Sequence, residues 1–240
     1  MEGIELKIDN ILKVAINKIN CAYSNNQESG TNSGKYNEEY KTKLVFPKYS
    51  GGDTRVSEQE LRFAFIEAFN QCEETKDFYY SIETPTIDKY RFSKDGKETE
   101  YPFVSNDGES GKFDMVIYKK EGNDLKRAVL IEFKANDSNV KHLKKDLVKL
   151  HNPVEGNEEV KRYFIELFTN KSEAPGKKFK ENIIIKKEDL AKHYPEKRYN
   201  DLNNIRSVNV RCICLKKQGM FDEYKQDDFP KFIPSEQKQL

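Results

Sequence analysis

The sequence predicts an α/β fold, a mixed central sheet flanked by helices. Three observations predict it. The apolar run AVLI at Ala128–Ile131 and the segment KFDMVIY at Lys112–Tyr118 read as strands. Segments before and after them carry apolar residues at helical spacing. The elements follow one another as helix, strand, hairpin strands, helix and strand.

Composition narrows the class. The chain has 240 residues, 35% of them charged and 36% hydrophobic. The surface must be heavily charged, but the aliphatic runs exclude global disorder. The formal net charge is only +1, so any basic footprint for a nucleic acid has to be local. No window approaches the roughly 18 apolar residues of a membrane span, and no membrane partner is expected. The N-terminal MEGIELKIDN does not read as a secretory signal. Cys21 and Cys72 are isolated, and Cys212 and Cys214 have strand spacing in VRCICL. Without a CxxC or a Cys–His pattern, they read as buried free thiols of a cytoplasmic protein. His142, His151 and His193 lack ligand spacing.

The elements are expected in this order. Residues 2–20 carry Ile4, Ile8, Ile11, Leu12, Ala15, Ile16 and Ile19, an amphipathic helix whose stripe packs on the core or on a partner chain. Residues 24–42 read as a mobile loop. Ser57 opens a second helix with Glu60 three residues on, a capping box, and Leu61, Ala64, Phe65, Ala68 and Phe69 form its core stripe. Residues 77–92 read as one strand or two, interrupted at Pro85, and 93–111 as a loop. FDMVIY and RAVLIEFKAN pair as a hairpin around EGNDLK. A helix over 138–151 is capped by Ser138, with Lys141, Lys144, Lys145 and Lys149 outward. Strands are expected at 160–169, at ENIII and at SVNVRCICL, with a short helix at EDLAKHYPE and a polar tail from Gly219. The segments are thus 1–56, N-terminal helix and loop; 57–170, the core; and 171–240, strands and tail completing the same domain.

The chemistry concentrates in the hairpin. Asp114 is a lone acid in an apolar strand, sharing a face with Val116. Glu132 and Lys134 end the other strand on one face, because residues two apart point the same way. If the strands pair, Asp114 and Glu132 end near each other. Two close carboxylates repel, and burial raises the cost. A divalent cation removes the conflict, and oxygen donors without His or Cys favour Mg²⁺ or Mn²⁺. Lys134 then lies beside the metal, where it can hold or help deprotonate a water and neutralise charge on a phosphate. A salt bridge at a strand end is the structural alternative. Glu60 has the capping role, whereas the wheel turns Glu58 toward Leu61 and Phe65, so Glu58 is the candidate helix acid. Arg55, Lys141, Lys144, Lys145 and Lys149 are candidate phosphate contacts, with a solvated helix face as the alternative for the four lysines, and the loop cluster Lys177, Lys178 and Lys180 is a further candidate. Tyr79, Tyr80 and Tyr90 read as sheet packing rather than base-stacking platforms.

These motifs resemble the PD-(D/E)XK, restriction-endonuclease-like nuclease superfamily. The pattern is Glu58-Gln59-Glu60-Leu61 on a first helix, Phe113-Asp114 on a strand and Ile131-Glu132-Phe133-Lys134 on the next. It is similar to that of archaeal Holliday-junction resolvases, with Phe113 in place of the motif proline. The resemblance covers about half the chain and implies an αβββαβ core over 57–169, with N- and C-terminal decorations. It implies a Mg²⁺- or Mn²⁺-dependent endonuclease that hydrolyses phosphodiester bonds in DNA rather than RNA, in defence or repair. Asp114, Glu132 and Lys134 would be catalytic. Glu58, Asp114, Glu132 and the Phe133 carbonyl would hold the metal. A homodimer, two sites for two strands, is compatible with it. A non-catalytic nucleic-acid-binding or assembly subunit that keeps the fold stays open as the alternative.

Overall fold

The computed structural model describes residues 2–27, 42–52, 54–94, 97–136, 140–169, 206–215 and 221–229. Among them are three α-helices, α1 (Glu2–Gln27), α2 (Glu58–Gln71) and α3 (Val140–His151). Seven strands follow in chain order: β1 (Phe78–Lys94), β2 (Lys97–Val104), β3 (Glu109–Glu121), β4 (Asp124–Ala135), β5 (Lys161–Thr169), β6 (Val208–Leu215) and β7 (Phe221–Phe229). They form one mixed sheet in the order β2-β1-β3-β4-β5-β6-β7. The β4–β5 and β5–β6 pairs are parallel and the others antiparallel. The fold is α/β, as the sequence predicts.

Alternation along the central strands builds two cores. Val129, Ile131 and Phe133 of β4 face α1 and α2, together with Tyr163, Ile165 and Leu167 of β5. Leu130 and Phe164 face the other way, against Leu143, Leu147 and Leu150 of α3. The N-terminal stripe is consumed within the chain: Ile8, Ile11, Leu12, Ala15, Ile16 and Ile19 are buried in the first core. The α2 capping box forms, with Glu60 accepting the Ser57 N–H at 2.9 Å. Among the described residues, no helix is long and apolar enough to cross a membrane.

Several expectations need correction. The 77–92 segment is a single strand that runs through Pro85 to Lys94. Its pairing with β2 begins only at Tyr90, so at Pro85 one edge of β1 is open, where a sheet tolerates proline. The register with β3 slips between Pro85 and Lys89. There the Ile87 and Asp88 N–H groups donate instead to buried Glu155, at 2.8 and 3.0 Å. Most of the expected 93–111 loop is strand β2 and the start of β3. The first part of the polar tail is strand β7. Cys212 is buried, but Cys21 and Cys72 are only half-buried. Tyr90 is buried and stacks on Phe92, and Tyr80 meets Phe69 edge-on, while Tyr79 stays exposed. Ser138, ENIII, EDLAKHYPE, His193 and the Lys177, Lys178 and Lys180 cluster lie outside the described residues.

His151 ends α3 fully buried, with Nδ1 2.6 Å from the Arg206 carbonyl. A carbonyl only accepts, so Nδ1 carries the proton. Burial lowers the imidazole pKa to about 4. The unfolded chain therefore binds one more proton than the folded one between about pH 6.5 and about pH 4. Stability is fully present above the unfolded value and falls as pH drops through that window, by about 3 kcal/mol from this group. Urea midpoints at pH 4.5 and 7.0 should differ less in His151→Gln than in the native chain. Equal pH dependence would contradict the neutral, buried assignment.

Candidate active site

β3 and β4 pair from Glu121 and Asp124 to Met115 and Ile131, and there the ladder stops. Beyond that point the Asp114 side chain replaces main chain: its Oδ2 accepts the Phe133 N–H at 2.7 Å. The strands thus part around Asp114, leaving a fork at the end of the sheet. A residue in an extended strand presents its N–H and C=O to the same edge, so the Phe133 carbonyl looks into this fork. Its ring goes the opposite way and packs on Phe65, centroids 5.7 Å apart. The local geometry also breaks alternation. Phe113 joins Val116 in the α3-side core, while Asp114 turns toward α2, so the shared face expected for Asp114 and Val116 is not kept.

Five elements bring charges to the fork. From α2, Arg62 reaches Asp114 Oδ1 at 2.7 Å, Glu83 of β1 at 3.0 Å and Glu58 at 4.0 Å. Glu83 adopts a left-handed backbone (φ 50°) inside β1, an unfavourable conformation for a residue with a Cβ. From β4, Lys134 lies 2.8 Å from Asp146 of α3 and 3.7 Å from Glu58. Lys149 of α3 lies 2.5 Å from Glu132 and 2.8 Å from Asp146. Five carboxylates thus face three cations, a formal excess of two negative charges.

Burial makes that excess costly. Glu132 is 1% exposed. Burial, then repulsion from Asp146, pushes its carboxyl well above the ordinary range, against the attraction of Lys149. Burial also raises Glu58, with Lys134 opposing. Burial works against the Lys134 and Lys149 ammonium groups, yet Asp146 and Glu132 outweigh it and raise both. The same attraction, from Lys149 first, overcomes burial at Asp146 and lowers it.

The sequence-predicted residues Glu58, Asp114, Glu132 and Lys134 therefore share one network. Glu58 does not point into the core as expected: it sits at the rim with its side chain 35% exposed, while Glu60 is buried in the cap. Arg55 is held by Glu60 at 2.7 Å, away from the fork. Lys145 lies over the Phe92 ring at 4.3 Å, and Lys144 is half-buried. The Lys141 side chain is outside the described residues. Lys149 corrects the helical reading. The residue is 3% exposed, with its ammonium turned into the network. Arg62, Glu83 and Asp146 are site residues that the sequence reading misses, and Lys149, a candidate backbone contact, belongs to the charged network instead. The one available signal was Glu58 and Arg62 at i, i+4 on a helix, a common surface pairing.

The donor set fits a hard divalent cation: carboxylates, one carbonyl, and two negative charges in excess. In the arrangement seen here each acid is already met by a side-chain cation. Among the described residues, no three His, Cys, Asp or Glu side chains gather to share one ion. Binding a metal at Asp114 thus requires Arg62 to move. The Arg62 Nε is buried without a hydrogen-bond partner, so its present seat does not satisfy it fully. Comparison with protein-family models, with curated proteins and with solved structures finds no match to this chain.

Proposed function

We propose that the protein is a metal-dependent nuclease of the restriction-endonuclease-like type, hydrolysing phosphodiester bonds in DNA, with Mg²⁺ or Mn²⁺ as cofactor. The single observation that supports this reading is the fork. A first-helix acid, Asp114, Glu132 and Lys134 converge where two strands part, with two negative charges uncompensated. In this reading Glu58, Asp114, Glu132 and the Phe133 carbonyl hold the ion. When bound, the ion would supply Lewis acidity to the phosphoryl group.

The chain's own residues do the rest. Lys134 has three donors and no acceptor. With its pKa raised it stays an ammonium at neutral pH, so it orients the attacking water by donating to its oxygen and does not take its proton. The ammonium also offsets charge growing on the phosphate. Asp146 fixes it at 2.8 Å. Phe133 and the apolar run before it keep the strand rigid. Lys144 and Lys145 lie on α3 near enough to the sheet for Lys145 to cover Phe92, and are the candidate contacts to the DNA backbone.

The second reading is a non-catalytic nucleic-acid-binding or assembly subunit. The Arg62–Asp114 pair at 2.7 Å favours it, because a permanent pair there would keep a metal out. Supercoiled plasmid separates the two. The nuclease reading expects nicking or linearisation in Mg²⁺ or Mn²⁺ and none in EDTA. Tight binding in EDTA with no turnover in either metal would establish the second reading.

A further inference from the structure

We infer that Lys149 is a tethered cation occupying the place of a second metal ion, so that the centre takes one divalent ion per chain. This rests on the metal-dependent reading above and specifies how many ions that site accepts.

The ammonium of Lys149 touches three oxygens: Glu132 Oε1 at 2.5 Å, the Lys112 carbonyl at 2.6 Å and Asp146 Oδ1 at 2.8 Å. Two carboxylates and a carbonyl are the donors a hard divalent cation chooses. An ammonium has three N–H donors and nothing else; one goes to the Lys112 carbonyl, and both carboxylates lie within ion-pair distance of the same nitrogen. The position is also built for it. Gly111 lies beneath the stem, and a Cβ there would come within 2.9 Å of Lys149 Cδ. The Phe113 ring lies 5.7 Å from Nζ on another side. A lysine that merely reached inward would not need a glycine to admit it.

Occupancy gives the count. Lys149 fills the seat between Glu132, Asp146 and the Lys112 carbonyl, which leaves the place beside Asp114, once Arg62 withdraws, for one ion. Paired-ion sites place their metals roughly 3.5–4 Å apart, bridged by a shared carboxylate. In this fork Glu132 is the carboxylate that an ion beside Asp146 would have to share with the first. Lys149 already holds one of its oxygens, 1% exposed as the residue is. A second ion would have to displace an ammonium bound by three oxygens.

Mn²⁺ titration of the full chain, followed by the electron paramagnetic resonance of the free ion, counts the sites. Only sites removed by Glu132→Gln are scored, so that ions on surface carboxylates drop out. The native chain is expected to bind one Mn²⁺ and Lys149→Met two. Lys149→Met should melt early in EDTA and recover in millimolar Mn²⁺, because the ion replaces the lost ammonium. Two ions on the native chain, one ion on Lys149→Met, or a variant that stays unfolded in Mn²⁺ would each overturn the inference while leaving the nuclease reading intact. A native chain that binds no Mn²⁺ would overturn both.

Discussion

Glu132→Gln and Lys134→Ala are each expected to lower Mg²⁺-dependent plasmid cleavage by at least about 100-fold, within the range for losing a positioned catalytic group. The two variants should fail differently. Glu132→Gln keeps the side-chain volume but removes one negative charge from the fork, so it should weaken Mn²⁺ binding as well as turnover. Lys134→Ala removes the ammonium that Asp146 holds at 2.8 Å. It leaves the metal ligands in place, so ion binding should survive while turnover is lost. Lys134→Arg should not restore activity, because a planar guanidinium cannot take the compact seat between Asp146 and Glu58. Removing one partner of a buried ion pair can cost about 3–5 kcal/mol, so thermal melts must accompany the rates. Wild-type rates in folded Glu132→Gln or Lys134→Ala would sink the assignment of these residues.

Phe133→Ala should destabilise the chain by about 3–5 kcal/mol, the usual cost of deleting a fully buried phenyl ring. Phe133 is 0% exposed, lies in the core formed with α1 and α2, and packs on Phe65. It stands between Glu132 and Lys134 and points away from them, so it anchors the stretch of β4 that carries both. A cavity behind it would loosen the site as well as the fold. Urea unfolding provides the measure. Tyr79→Ala, at an exposed strand position, is the control and should change stability by no more than about 0.5 kcal/mol. A Phe133→Ala loss below about 1 kcal/mol would show that β4 is not the rigid element supposed.

Much of this was legible in the chain. Ser57 and Glu60 announce the start of α2, because capping uses a fixed three-residue spacing. The two apolar strands around EGNDLK announce the hairpin, and residues two apart on a strand must share a face. Those local rules were enough to bring Asp114, Glu132 and Lys134 to one place. What local rules cannot reach is where a long side chain ends. Lys149 follows other lysines of α3 in the sequence, yet four methylenes carry its ammonium to Glu132. Arg62 sits in the stripe-bearing helix α2 but spans to Asp114, 52 residues away in sequence. Strand β2 was missed because its polar, Gly- and Asp-flanked sequence looks like loop. Only pairing with the far half of β1 makes it a strand.

The presence of a metal between the strands decides the central claim. A crystal soaked in Mn²⁺ and measured at the manganese absorption edge is the most direct test. The proposed function requires an anomalous peak in the fork, touched by Asp114 and Glu132, with the Arg62 guanidinium withdrawn from Asp114. A fork without a peak at millimolar Mn²⁺, with Arg62 still on Asp114 and Lys149 still on Glu132, would contradict it and leave a salt-bridged strand end in its place.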